Sequence, residues 1–333
     1  MEIPMKIAIL DDYQNVAQQY ADWDRLKSGH QVSFFSDHIS NADELIQRLE
    51  PFDIIMGMRE RTPFPEYVLS NLPNLKLLIT SGARNASFDV ASATNLGITV
   101  CGTGGSGEGP TELTWGLIIN LLRNITQEYA LTKQGSWGTS MGTGLKGKTI
   151  GLLGLGHIGS LVSKIAIAFD MKVIAWSQNM TDDQASQNGA SLVSKDELFS
   201  LADIISIHVR LSDRTRDLVT HKELSLMKST SFIVNISRGP IINEHDLIEA
   251  LASKSIAGAG LDTFDVEPLP ESHPFLKLDN VLVTPHIGYV THDAYAAYYG
   301  GTLNDIEAFI EGNPINMINP EVFEKPNFRG ISQ

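Results

Sequence analysis

The sequence predicts an α/β protein built from two doubly wound parallel-sheet domains. Three observations point there. Short apolar runs of strand length alternate with longer amphipathic stretches, which is βαβ order. The series occurs twice, before and after a long helical segment near residue 110. The 333 residues also exceed one ordinary domain.

In the first series, KIAILDD (6–12), FDIIMGM (52–58), LKLLITSG (75–82) and GITVCGT (97–103) read as buried parallel strands. Amphipathic stretches at 42–50 and 64–72 separate them as helices. PTELTWGLIINLLRNI (110–125) reads as a long helix with Pro110 at its start, where a missing N–H does no harm. Its apolar residues Leu113, Trp115, Leu117, Ile118, Ile119, Leu121 and Leu122 exceed one helical stripe and predict burial on more than one side. The second series is TIGLLGLG (149–156), KVIAWS (172–177), DIISIHV (203–209), SFIVNIS (231–237), GAGLDTF (258–264) and NVLVTPH (280–286). A helix over 291–311 then leads the chain back to the first domain, and from about 313, with Pro314, Pro320 and Pro326, the chain reads as loop. The expected boundaries are 1–102 with 288–333 for the first domain and 103–287 for the second.

Composition excludes several classes of function. Hydrophobic residues make up 42%, enough for ordinary cores, and the net charge of −14 opposes general binding to nucleic acid or anionic membrane. An anionic ligand must therefore meet a local positive site. Cys101 is the single cysteine and forms no internal disulfide, which fits a reducing compartment. The start of the chain has no signal-like apolar run, and no window approaches the roughly 20 apolar residues of a membrane span. The expected location is the cytoplasm. The histidines show no metal-ligand spacing, so no metal is expected.

The segment GLLGLGHIGS carries Gly154, Gly156 and Gly159 as G-x-G-x-x-G between a strand and a helix. That context is the one a dinucleotide fingerprint needs. The first glycine permits the tight turn, the second admits a pyrophosphate, and the third lets helix pack on strand. The helix N-terminus presents free N–H groups to the phosphates. An acid about 20 residues on usually holds the adenosine ribose. Here the strand end reads Trp176, Ser177, Gln178 and Asn179; Asp170 comes too early, and Asp182 and Asp183 lie past the turn. Ser177 and Asn179 can bond a ribose hydroxyl without charge. The two aspartates disfavour a 2′-phosphate, so NAD is expected, with NADP not excluded. Arg210, at the end of the following strand, is the residue most able to reverse that preference.

Three later strand ends bear unusual polar residues: Arg238 in NISRGPIINE, Asp262 and Glu267 in GLDTFDVEPLP, and His286 in TPHIGY. Ligands of open α/β sheets bind beyond the carboxyl ends of strands, so all three segments point at the dinucleotide crevice. Singly, each has a structural explanation. Together they suggest an Arg–Glu–His site.

These motifs, with LKGKTIGLLGLGHIG, NISRGPIINEHDLIEAL, GAGLDTFDVEPLP and VLVTPHIGYVT, resemble the D-isomer-specific 2-hydroxyacid dehydrogenases over nearly the whole chain. The resemblance implies a flavodoxin-like substrate domain split by an inserted Rossmann coenzyme domain, D stereochemistry, and a homodimer contacting through 110–130. It maps the family's arginine, glutamate and histidine onto Arg238, Glu267 and His286, and its nicotinamide-contacting aspartate onto Asp262. It also sets His157, Ile158, Val209, Thr215, Ile236, Ser237 and Gly288 around the dinucleotide. In TSGARNASFD the family's carboxylate-binding turn falls on Gly82 and Ala83, with Arg84 beside them, and Arg59 at the preceding strand end joins them as a candidate. A substrate held by both domains would favour cleft closure. Tyr289 and Trp137 are candidates for shaping the pocket.

The chemistry suits these residue types. Reducing a 2-oxo acid needs a hydride at C2 and a proton on the carbonyl oxygen. Histidine holds a proton near neutral pH. A carboxylate on its other nitrogen orients the ring and favours the imidazolium. Arginine grips a carboxylate with paired donors. Two other readings stay open: a dinucleotide-sensing, corepressor-like binding protein, and formate or phosphite oxidation on the same fold. Formate enzymes pair their histidine with glutamine, so Glu267 favours a hydroxy acid. The chain has no room for the regulatory module of the larger phosphoglycerate dehydrogenases.

Overall fold

A computed structural model describes residues 4–26, 29–105 and 107–330. The chain forms two compact units, Met1–Ser106 with Thr291–Gln333, and Gly107–Val290.

In the first unit, β1 (Lys6–Ile9), β2 (Gln31–Phe34), β3 (Ile54–Gly57), β4 (Leu77–Thr80) and β5 (Thr99–Gly102) are parallel, in the order β2-β1-β3-β4-β5. This is the flavodoxin-like doubly wound order. Every residue of β3, β4 and β5 is buried, because helices cover both faces, and that is why they read as continuous apolar runs. β2 is absent from the sequence-based strand set. It sits at the sheet edge, half-exposed, and has no apolar run to reveal it.

The second unit holds β6 (Thr149–Leu153), β7 (Lys172–Trp176), β8 (Ser191–Leu192), β9 (Ile204–Ile207), β10 (Phe232–Asn235), β11 (Gly258–Leu261) and β12 (Val281–Val283). Their order is β12-β11-β10-β9-β6-β7-β8, all parallel. The winding reverses at β6, between β9 and β7, which is where such sheets bind nucleotides. β8 escapes sequence detection because it is two residues long.

The expected helix over 110–125 differs in detail. It runs Glu108–Arg123, ends at Asn124 in the left-handed region (φ 53°), and a separate helix Ile125–Lys133 follows. Trp115, Leu117, Ile118 and Leu122 are buried, and Leu113, Ile119 and Leu121 pack half-buried on the same core. The extra apolar side is therefore spent inside the unit. At Gly260 of β11 a Cβ would lie 3.0 Å from Leu121 and 3.3 Å from Leu117, so the missing side chain admits the helix. The exposed apolar side chains come later: Ile125, Tyr129, Trp137 and Met141, the last two 88% and 96% exposed.

The last residues are not all loop. Ile318 N–H donates to Val100 O at 2.7 Å, Gly102 N–H to Asn316 O at 3.1 Å, and Met317 bridges Cys101 in antiparallel sense. This covers the open edge of β5, which would otherwise offer unpaired backbone groups. Asn319 is fully buried and supports the seam, accepting from Val100 N–H and donating to Thr94 Oγ1 and Ile98 O.

The helix His292–Ile310 carries Asp305 into this core. One carboxylate oxygen accepts from Asn316 Nδ2 at 2.8 Å, and the other has no partner among the described residues. Burial raises the carboxyl to about 6, against the Asn316 bond that lowers it. A carboxyl raised in the folded state binds more protons folded than unfolded. Its contribution to stability is therefore fully present below the unfolded value near 4 and lost as pH rises through 6. Asp305→Asn should stabilise the protein at pH 8 by up to about 3 kcal/mol, shrinking to nothing near pH 4. Thermal melts of both proteins at the two pH values check this; equal melting temperatures at pH 8 would refute it. Burial, and secondarily Asp305, also pushes the Cys101 thiol up to about 12.

Candidate active site

The glycine-rich turn joins β6 to the helix His157–Ala168. Gly154 has φ 101°, and a Cβ there would meet the His208 backbone at 2.9 Å. At Gly159 a Cβ would fall 2.4 Å from Gly154 O, whereas Gly156 faces open space. The helix begins at Gly156 with no side-chain cap, so its first N–H groups, from His157 and Ile158 onward, are left for an anion. These features fit a pyrophosphate.

At the end of β7, Ser177 is half-buried and Gln178 and Asn179 are exposed. Asp182 and Asp183 occupy the first turn of the helix Asp182–Gln187, capped by Thr181. Past β9, Arg210 is exposed on a loop that Thr215 ties together, donating to Arg210 O at 2.6 Å and accepting from Ser212 N–H at 2.8 Å. Ser237 donates its hydroxyl to Val209 O, and the Ile236 side chain lies in the core, which leaves its backbone as its part in a cofactor site.

His208, which sequence reasoning did not single out, lies against the glycine-rich turn. It directly follows β9, its Nε2 lies 2.9 Å from Ser206 Oγ, and burial lowers it to about 4. It is therefore neutral at physiological pH. The only sequence signal was a histidine closing the apolar run DIISIHV.

Arg238 follows β10. Asn235 shapes its turn by donating to Arg238 O at 2.9 Å and accepting from Ser237 N–H at 3.0 Å. Glu267 lies in the loop after β11. Its Oε1 accepts from Phe264 N–H at 2.9 Å, and its Oε2 meets His286 Nδ1 at 2.6 Å. With a carboxylate as acceptor, Nδ1 carries the hydrogen and Nε2 is left for proton exchange.

His286 itself has a left-handed backbone (φ 51°). Asp262 supports that conformation. It accepts from Thr284 Oγ1 at 2.6 Å, Ile287 N–H at 2.8 Å and Gly288 N–H at 2.8 Å, so both oxygens grip the segment flanking His286. Burial raises the Asp262 carboxyl, and those three bonds oppose the rise. Tyr289 sets its ring edge-on to His286, with centroids 5.5 Å apart.

Within the first unit, Gly82 has φ 86° and donates its N–H to Thr103 Oγ1 at 2.8 Å. That N–H is thus already engaged. Ala83 and Arg84 are exposed, and their backbone N–H groups have no partner among the described residues. Arg59 lies across Gly82, where a Cβ would fall 2.0 Å from its guanidinium, and donates to Ser81 O at 3.1 Å. Successive backbone N–H groups of this kind can receive an anion.

The family profile described as D-isomer specific 2-hydroxyacid dehydrogenase, NAD binding domain, matches residues 115–288, just over half of the chain. A glyoxylate reductase of Thermococcus litoralis is 35% identical over 77% of this chain and 80% of that one. A hydroxypyruvate reductase of Blautia hydrogenotrophica is 30% identical over 95% of this chain and 100% of that one. Among solved structures, a putative D-3-phosphoglycerate dehydrogenase from Ralstonia solanacearum superposes with a TM-score of 0.88 at 34% identity, covering 96% of this chain and 98% of the other. No helix among the described residues is long and apolar enough to cross a membrane.

Proposed function

Because the chain belongs to the D-isomer-specific 2-hydroxyacid dehydrogenase family, we propose that it reduces small 2-oxo acids to D-2-hydroxy acids, with His286 as acid/base. Membership establishes the reaction class: an NAD(P)-dependent enzyme transferring hydride between nicotinamide and 2-hydroxy or 2-oxo acids. The bound dinucleotide supplies that hydride. The Gly154–Gly159 turn and the uncapped helix behind it would hold its pyrophosphate.

The observation that carries the residue assignment is the 2.6 Å contact between His286 Nδ1 and Glu267. It leaves Nε2 to give a proton to the carbonyl oxygen during reduction and to take it back during oxidation. Glu267 orients the ring and balances its charge. Arg238 grips the substrate carboxylate and polarises the carbonyl. Within the first unit, Ala83 and Arg84 are the residues proposed for substrate binding, with Gly82 shaping the turn and Arg59 adding positive potential.

The names of the relatives favour glyoxylate and hydroxypyruvate as first substrates. NAD is favoured over NADP by the uncharged Ser177 and Asn179 and by Asp182 and Asp183, with Arg210 the opposing cation. A homodimer in the cytoplasm is the expected setting. The exposed Ile125, Tyr129, Trp137 and Met141 are the surface offered for contact, and a monomeric mass by light scattering would refute the dimer.

The test is steady-state oxidation of NADH and NADPH with glyoxylate, hydroxypyruvate, pyruvate and branched 2-oxo acids, with formate and phosphite tried in the reverse direction. Turnover of a 2-oxo acid, faster with NADH, is expected. Binding of the dinucleotide without turnover would favour a sensing protein, and activity confined to formate or phosphite would overturn the hydroxy-acid assignment.

A further inference from the structure

We propose that Glu244 and His273 are positioning residues that lock the segment carrying Arg238 to the loop carrying Glu267. The proposal rests on the assignment of proton transfer to His286 and Glu267.

The two segments leave neighbouring strands. Past β10 the chain passes Arg238, makes a 3-10 turn at Gly239–Ile241, and reaches Glu244, the first residue of the helix Glu244–Ala252. Past β11 it passes Glu267 and reaches His273, which caps the 3-10 turn Pro274–Lys277. Each positioning residue thus sits six positions beyond a residue of the candidate site.

Two contacts tie the segments together. At Gly239 a Cβ would fall 2.2 Å from the carbonyl carbon of Phe264, so the Arg238 turn lies flush against the start of the Glu267 loop. At the other end, His273 Nε2 meets Glu244 Oε1 at 3.1 Å. The tautomer follows from the second ring nitrogen. His273 Nδ1 accepts from Phe275 N–H at 3.3 Å, so the hydrogen sits on Nε2 and is donated to Glu244. The pair is shielded, with side chains 12% and 26% exposed.

A cavity of about 10 Å³ lies between the segments, lined among others by Asn235, Glu244, Thr263 and Phe275. Thr263 Oγ1 is buried there with no partner among the described residues. Glu267 is itself 31% exposed, so its place beside His286 depends on the loop backbone, through Phe264 N–H. A loop pinned at Gly239 and released at Glu244 would swing about Phe264 and move the Glu267 carboxylate relative to His286.

Glu244→Ala should lower kcat for the preferred 2-oxo acid by about tenfold, since sub-ångström misplacement of a reacting group carries penalties of that order. The dissociation constant for NADH and the melting temperature should stay near wild type. Glu244→Gln keeps a neutral acceptor for His273 Nε2–H and should restore kcat to within about twofold. His273→Asn keeps a capping acceptor but is too short to reach Glu244, and should match Glu244→Ala. Wild-type kcat in Glu244→Ala, or a loss in Glu244→Gln equal to that in Glu244→Ala, would overturn the clamp. Undiminished turnover in His286→Ala would instead overturn the acid/base assignment beneath it, which keeps the two failures distinguishable.

Discussion

His286→Ala is expected to lower kcat for 2-oxo acid reduction by about 10²- to 10⁴-fold, the usual contribution of a positioned acid or base. That corresponds to about 3 to 5 kcal/mol of transition-state stabilisation. The residue is built to lose nothing else. Its backbone conformation is held by Asp262 through Thr284, Ile287 and Gly288, so removing the imidazole leaves that segment in place. The affinity for NADH, measured by fluorescence, should therefore change little while turnover collapses. Turnover within a few fold of wild type would sink the assignment.

Arg238→Met is expected to cut kcat/KM by a hundredfold or more, on the order of the 2–5 kcal/mol that follows loss of one partner of a charge-assisted pair. Methionine keeps the length and apolar stem but has no donors. The turn should survive, because Asn235 holds it through the Arg238 carbonyl and the Ser237 N–H. Arg238→Lys should recover only part of the loss, since an ammonium lacks the planar fork that matches a carboxylate. Comparing a 2-oxo acid with the corresponding aldehyde, which has no carboxylate, isolates the effect. The variant should lose most of the native preference for the acid, and an unaltered preference would remove Arg238 as the anchor.

Much of this was legible in the chain. Ten of the strands announced themselves as apolar runs; eight of them are central strands of a covered parallel sheet, which must be apolar on both faces, and that is a local property. Gly154, Gly156 and Gly159 were legible because their G-x-G-x-x-G spacing falls within six residues, between an apolar strand and a helix. Arg238, Glu267 and His286 stood out as polar residues at the ends of apolar runs. What stayed hidden shares one cause. β2 and β8 lie at edges or are too short to build a pattern. His208 closes an apolar run like any strand-end polar residue, and only its enclosure beside Gly154 marks it. The seven apolar residues of 113–122 correctly signalled broad burial, but not that the second side is covered by β11 of the same unit.

The sequence by itself determined the two parallel sheets, the dinucleotide turn and the residue types at each strand end, because periodicity and turn chemistry act over a few residues. Only the tertiary structure decided how those residues are held. Asp262 reaches 22 to 26 residues ahead to grip the His286 segment, Glu244 meets His273 29 residues away, and the 316–319 segment seals an edge more than 200 residues behind it. Such pairings depend on how the sheet brings distant strand ends side by side, and no local pattern in the chain records that neighbourhood.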